Sequence, residues 1–257
     1  MKKTINTLKW QSIVAVLLFN VFAVTFTSCN RDDGATTEPA KNYDIKGYYK
    51  GTYGSGTAET GFNLCFVIEE SGKLTYVLNY TKLNSAPKAN VIYGTYTTNA
   101  NSFAATVTSP GETVTFSATF EPTTGKLSGS WSSSSGVSGK FTTQKDISGK
   151  DSITGYWKGT YNPNGSSTNY PYVMIGESDG TLTVVDYGTV TNAASNAYGN
   201  FTLNNNDFST TIKFDYGTNA NPYIFSATFD KTAGKLINGT WSGNGSTGTW
   251  TVTKMYY

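Results

Sequence analysis

The sequence predicts an all-β protein made of two tandem eight-stranded antiparallel up-and-down β-barrels. Three observations predict it. Eighteen Tyr, 14 Phe and 5 Trp are set among 27 Gly and abundant Ser, Thr and Asn, the vocabulary of twisted sheets. Beyond the N-terminal leader, no stretch of about ten residues carries apolar positions at helical spacing. The chain also repeats itself, and the period fixes the boundaries of its units.

In chain order, residues 1–28 read as a signal peptide. Lys2, Lys3 and Lys9 supply the positive region, Ile13 to Phe26 the apolar stretch, and Phe26-Thr27-Ser28-Cys29 the small-residue processing site. The apolar run is interrupted by Asn20 and falls short of the roughly 18 to 20 residues that cross a bilayer, which favours a cleaved leader over a transmembrane anchor. Cys29 is then the lipidated N-terminus, and its acyl chains are the expected membrane partner, at about 0.8 kcal/mol per buried methylene. Asn30-Arg31-Asp32-Asp33 resembles the acidic export tag of Bacteroidota surface lipoproteins, which implies an outer-membrane location facing the cell exterior. Residues 29–44 are polar, aperiodic and carry Pro39, so they read as a stalk that spans up to about 50 Å when extended.

Residues 45–147 form the first repeat and 148–257 the second. Ile45 to Tyr53 (IKGYYKGTY) returns as Ile153 to Tyr161 (ITGYWKGTY), Phe116 to Phe120 (FSATF) as Phe225 to Phe229, and Gly129-Ser130-Trp131 as Gly239-Thr240-Trp241. In the first repeat, strands are expected near 47–53, 61–69, 73–81, 90–98, 102–108, 112–120, 125–132 and 136–144. Hairpin-sized turns separate them: Ser71-Gly72, Asn99-Ala100-Asn101 and Thr123-Thr124-Gly125, with Asp179-Gly180 and Asn204-Asn205-Asn206 in the second repeat. Short turns join antiparallel neighbours, and such a meander removes its two edges by closing into a barrel. Val114, Phe116, Ala118 and Phe120 mark a dry face opposite Thr113, Thr115, Ser117 and Thr119; Ile212, Phe214 and Tyr216 do the same opposite Lys213, Asp215 and Gly217. The linker Lys145 to Ser152 is too short for independent tumbling.

The first strand Gly155-Tyr156-Trp157-Lys158-Gly159-Thr160-Tyr161, with the late Gly-Thr-Trp strands, resembles the lipocalin and avidin group, particularly the lipocalin-like domains of Bacteroidota lipoproteins. That resemblance implies eight-stranded barrels that are either filled or hold one small ligand. The first repeat departs from it with Tyr49 in place of the tryptophan, and no polar ligand-contact set of the avidin group can be matched to this chain.

Composition excludes several functions. Lys and Arg number 19 against 17 Asp and Glu, and three lysines lie in the leader, so the remainder is near neutral and nucleic acid is not an expected partner. The absence of histidine removes Ser-His-Asp and Cys-His catalysis and the usual zinc sites. No metal or cofactor is expected. Cys65, within Phe62 to Ile68, is expected to pack as a small apolar residue. Glu69 and Glu177, equivalent before a hairpin turn, read as solvated turn residues, as do Asp186, Asp207 and Asp215, so a carboxylate-based hydrolase is the least favoured reading.

The candidate ligand-binding residues are the aromatics that recur in both repeats: Tyr49 and Trp157, Tyr53 and Tyr161, Trp131 and Trp241, Phe141 and Trp250. At a barrel mouth they would stack on a sugar ring or cover a lipophilic ligand; plugging the barrel ends is the structural alternative. Asp151-Ser152-Ile153 resembles a Bacteroidota O-glycan acceptor, with Ser152 as the modified residue in an exposed linker. The expected function is therefore non-catalytic binding of a glycan or lipophilic ligand at the cell surface. The alternative is a structural subunit with filled barrels that meets another envelope protein. An open Tyr/Trp-lined cavity of about 300 Å³ or more would favour the first, and packed interiors beside an exposed apolar patch the second.

Overall fold

The computed structural model describes residues 42–58, 61–78, 90–109, 111–186, 195–214 and 222–256. Cys29 and the segments read as leader and stalk, up to residue 41, lie outside these residues. Within them the chain forms two closed eight-stranded antiparallel barrels. The first contains β1 (Gly47–Ser55), β2 (Phe62–Ile68), β3 (Lys73–Leu78), β4 (Asn90–Asn99), β5 (Ser102–Ser109), β6 (Glu112–Glu121), β7 (Lys126–Ser133) and β8 (Ser138–Lys145). The second contains β9 (Gly155–Pro163), β10 (Tyr170–Gly176), β11 (Thr181–Asp186), β12 (Ser195–Asn204), β13 (Asp207–Phe214), β14 (Tyr223–Asp230), β15 (Lys235–Gly243) and β16 (Ser246–Met255). A 3-10 turn at Glu70–Gly72 joins β2 to β3.

Each sheet closes by pairing its last strand with its first, Tyr53 opposite Phe141 in one barrel and Tyr161 opposite Trp250 in the other. The second glycine of the Gly-x-(Tyr/Trp)-x-Gly motif makes this seam possible. A Cβ on Gly51 would lie 2.0 Å from the Thr142 carbonyl oxygen, and one on Gly159 would lie 1.9 Å from that of Thr251. Only a residue without a side chain lets the closing strands approach this closely.

The alternation read from the sequence holds in β5, β6, β13 and β14, where buried and exposed residues alternate. Phe214 and Ile212 face inward, while Asp215, Tyr216 and Gly217 lie outside the described residues. Tyr49 and Trp157 plug the same end of their barrels. Each is fully buried, and each donates a 2.8 Å hydrogen bond to the carbonyl of the isoleucine four residues earlier, Ile45 and Ile153. The tyrosine therefore replaces the tryptophan with its polar handle intact.

The second repeat carries one extra residue, Asn238, in β15. It sits at positive φ (54°) where the β15–β16 register shifts, so a β-bulge absorbs the insertion. Beside it the Trp250 indole N–H donates to the carbonyls of Ser226 and Thr240, both at 3.1 Å.

The first three strands of each barrel do not alternate. Leu64 to Ile68 are all fully buried, because Leu64, Phe66 and Ile68 fill the barrel while Cys65 and Val67 face the other barrel. Tyr48, Cys65, Val67 and Val77 meet Tyr156, Val173, Ile175 and Val185 in one apolar cluster. These are the same positions of the two repeats, so the junction is self-complementary in the manner of a two-fold dimer interface. Cys65 is buried, as its apolar setting suggests, but between barrels and not within one.

One polar pair breaks the symmetry. Lys50 Nζ lies 3.0 Å from Glu177 Oε2 across the junction, whereas Lys158, its equivalent, lies over the Tyr93 ring at 5.6 Å. Glu177 is thus not the solvated turn residue that its hairpin context suggests; the facing barrel covers it, and burial pushes its carboxyl pKa up against the opposing pull of Lys50. The linker folds onto the second barrel as well. Lys254 Nζ donates to the carbonyls of Ser148, Gly149 and Ser152 and to the Ser148 hydroxyl, at 2.7 to 3.3 Å. Ser152 is consequently half-buried, its hydroxyl accepting the Thr154 N–H at 3.2 Å, in place of the exposed acceptor that the linker suggests.

Candidate functional site

The two barrels differ in what they enclose. The interior of the first is filled by aromatic side chains around Phe66, which contacts Tyr76, Phe103, Phe116 and Phe141 at centroid distances of 5.1 to 6.2 Å. In the second, Met174 and Val184 stand where Phe66 and Tyr76 stood, and the bulk moves toward the end opposite the Trp157 plug. Tyr172 replaces Leu64, Tyr223 replaces Val114, Phe214 replaces Ser109, and Asp186 replaces Leu78.

These substitutions surround a cavity of about 180 Å³ at the mouth of the second barrel. Tyr161, Tyr172, Phe225 and Trp241 form a closed circuit of ring contacts, with successive centroids 6.0 to 6.4 Å apart. Tyr223 joins it 6.0 Å from Trp241 and packs edge-on against Phe214 at 5.1 Å. Pro163, Ser246 and Asp186 complete the lining.

Asp186 ends β11, and strand alternation turns its side chain to the interior, as it does Leu182 and Val184. It is not a solvated turn residue: Tyr161 Oη donates to its Oδ2 at 3.1 Å. Burial, and after it the charge of Asp186, holds the Tyr172 hydroxyl well above the ordinary tyrosine pKa. Trp241 is 8% exposed, and its indole N–H has no partner among the described residues. The equivalent indole of Trp131 donates to the Gly54 carbonyl at 3.1 Å.

Of the eight recurring aromatics, the structure brings Tyr161 and Trp241 into the cavity. Tyr53 and Trp131 form the matching edge-on pair in the first barrel, at 5.9 Å. Tyr49 and Trp157 plug the far ends, and Phe141 and Trp250 are packed in the interiors, so these four serve the core and not a mouth. Phe225 recurs as Phe116, whereas Tyr172, Asp186, Phe214 and Tyr223 are the lining residues that recurrence could not find. Their signal lies in the positions where the repeats differ.

The cavity is smaller than the 300 Å³ scale of a site for a whole drug-sized ligand, and it suits one ring or one head group. Among the described residues its lining carries a single carboxylate, whereas glycoside hydrolysis ordinarily uses two. No group of three or more acidic or cysteine side chains is arranged to hold a metal ion among those residues. In comparisons with known proteins, no family model, no curated sequence and no solved structure matches the chain.

Proposed function

We propose that this chain is a lipid-anchored cell-surface protein with two lipocalin-like barrels, which binds the exposed ring or head group of a glycan or lipophilic ligand without chemical turnover. The observation that carries the reading is the mouth of the second barrel, where a duplicated scaffold exchanges aliphatic residues for tyrosines and a carboxylate around a cavity. Tyr and Trp rings offer large rigid contact faces with polar edges, which suits amphipathic ligands. The first barrel is filled by its own side chains. The leader and Cys29 support the anchored location, and the acidic tag after Cys29 supports an outward-facing one.

The test is a tryptophan-fluorescence screen of glycans and lipids against the mature chain. A responding ligand should lose its signal in Trp241→Phe and keep it in Trp131→Phe. Silence across both classes would move the function to protein–protein assembly. For the anchor, Cys29→Ala should abolish acyl labelling and membrane fractionation.

A further inference from the structure

We infer that the mouth of the second barrel selects a small organic cation, a methylated ammonium group seated against the aromatic circuit and balanced by Asp186. This rests on the ligand-binding reading and adds to it the charge of the ligand. Aromatic rings present negative faces, and four of them, Tyr161, Tyr172, Phe225 and Trp241, enclose one small space. The one carboxylic acid among the described lining residues is Asp186. Ring faces and carboxylate therefore act with the same sign.

That sign discriminates among the ligands the aromatics alone would accept. A fatty-acid carboxylate or an acidic sugar would bring a second negative charge toward Asp186 at low local dielectric. A neutral apolar group would remove water from the carboxylate without replacing it. A methylated ammonium does neither, because its apolar surface fits the rings and its diffuse charge answers the acid. Tyr161 holds the carboxylate in place through its 3.1 Å hydrogen bond while remaining part of the ring circuit. The first barrel serves as the internal contrast, with Leu78 and Leu64 in place of the acid and Tyr172.

The experiment titrates the mature chain, by calorimetry and tryptophan fluorescence, with choline and with its neutral carbon isostere, in which a tert-butyl group replaces the trimethylammonium. A panel of neutral glycans is run beside them. Choline should bind at least about ten-fold more tightly than the isostere, and Asp186→Asn should erase that preference. Equal or tighter binding of the isostere would overturn the cation inference and leave the ligand-binding reading standing. So would a glycan that binds in a Trp241-dependent way and is indifferent to Asp186→Asn. A response to none of the three would overturn both. The comparison of choline with its isostere on the unaltered protein keeps the test decisive if Asp186→Asn fails to fold.

Discussion

Tyr48 and Tyr156 occupy the same position in the two repeats, and their rings stack on each other at 6.0 Å across the junction between the barrels. Each is 1% exposed. The contact ties the barrels together through surfaces that two-fold symmetry would make identical, so the junction is a dimer interface within one chain. Removing either ring opens a void in an apolar cluster.

Tyr156→Ala is expected to cost about 3 to 5 kcal/mol and to uncouple the barrels. Urea unfolding should show one transition in the parent and two in the variant. Two transitions in the parent would mean that the junction carries little energy.

The Lys50–Glu177 pair gives an asymmetric result on mutation. Removing the lysine leaves a covered carboxylate alone, so Lys50→Met should destabilise by about 1 to 2 kcal/mol, moderated by the partial exposure of both side chains. Glu177→Gln should be neutral or mildly stabilising. A double-mutant cycle by chemical denaturation measures the coupling.

The same carboxyl gives stability a pH dependence. Its folded pKa is raised above the ordinary 4.5, so the folded state binds more protons than the unfolded chain in the window from there upward. This contribution is present at acid pH and is lost as pH rises through the folded pKa. Stability curves measured across that window should flatten in Glu177→Gln relative to the parent.

Ala100 sits at φ 52° in the β4–β5 turn, where the equivalent residue of the second repeat is Asn205 at 57°. An L-residue other than Gly or Asn is strained in that conformation. Ala100→Asn should raise stability by about 0.5 to 1 kcal/mol, as measured by the urea midpoint at constant slope. An unchanged midpoint would remove the argument from strain.

Closure of the sheet makes the opposite demand. Gly159→Val would drive a side chain into the Thr251 carbonyl, so loss of several kcal/mol or failure to fold is expected, with near-UV circular dichroism as the readout.

Much of the fold was legible because its rules are local. Hairpin-sized turns and period-two alternation in β5, β6, β13 and β14 fix neighbours and faces, and the count of eight strands per repeat then requires closure. The junction was less legible because it breaks that alternation. Leu64-Cys65-Phe66-Val67-Ile68 and Tyr172-Val173-Met174-Ile175 are unbroken apolar runs, the mark of strands covered on both faces. The candidate site was half legible for a different reason. Recurring aromatics are found by matching the repeats, and matching favours what both barrels need, such as the Tyr49 and Trp157 plugs. The cavity is built from mismatches, Leu64 against Tyr172 and Leu78 against Asp186, which acquire meaning only when the strands are closed into a ring.

The central claim is that the second mouth is open to a ligand while the first is sealed by its own bonds, and indole hydrogen exchange in the free protein tests it most directly. Trp131, Trp157 and Trp250 each donate to backbone carbonyls, whereas the Trp241 N–H has no partner among the described residues. Trp241 is expected to exchange first of the four by nuclear magnetic resonance. Faster exchange at Trp131 than at Trp241 would contradict the account.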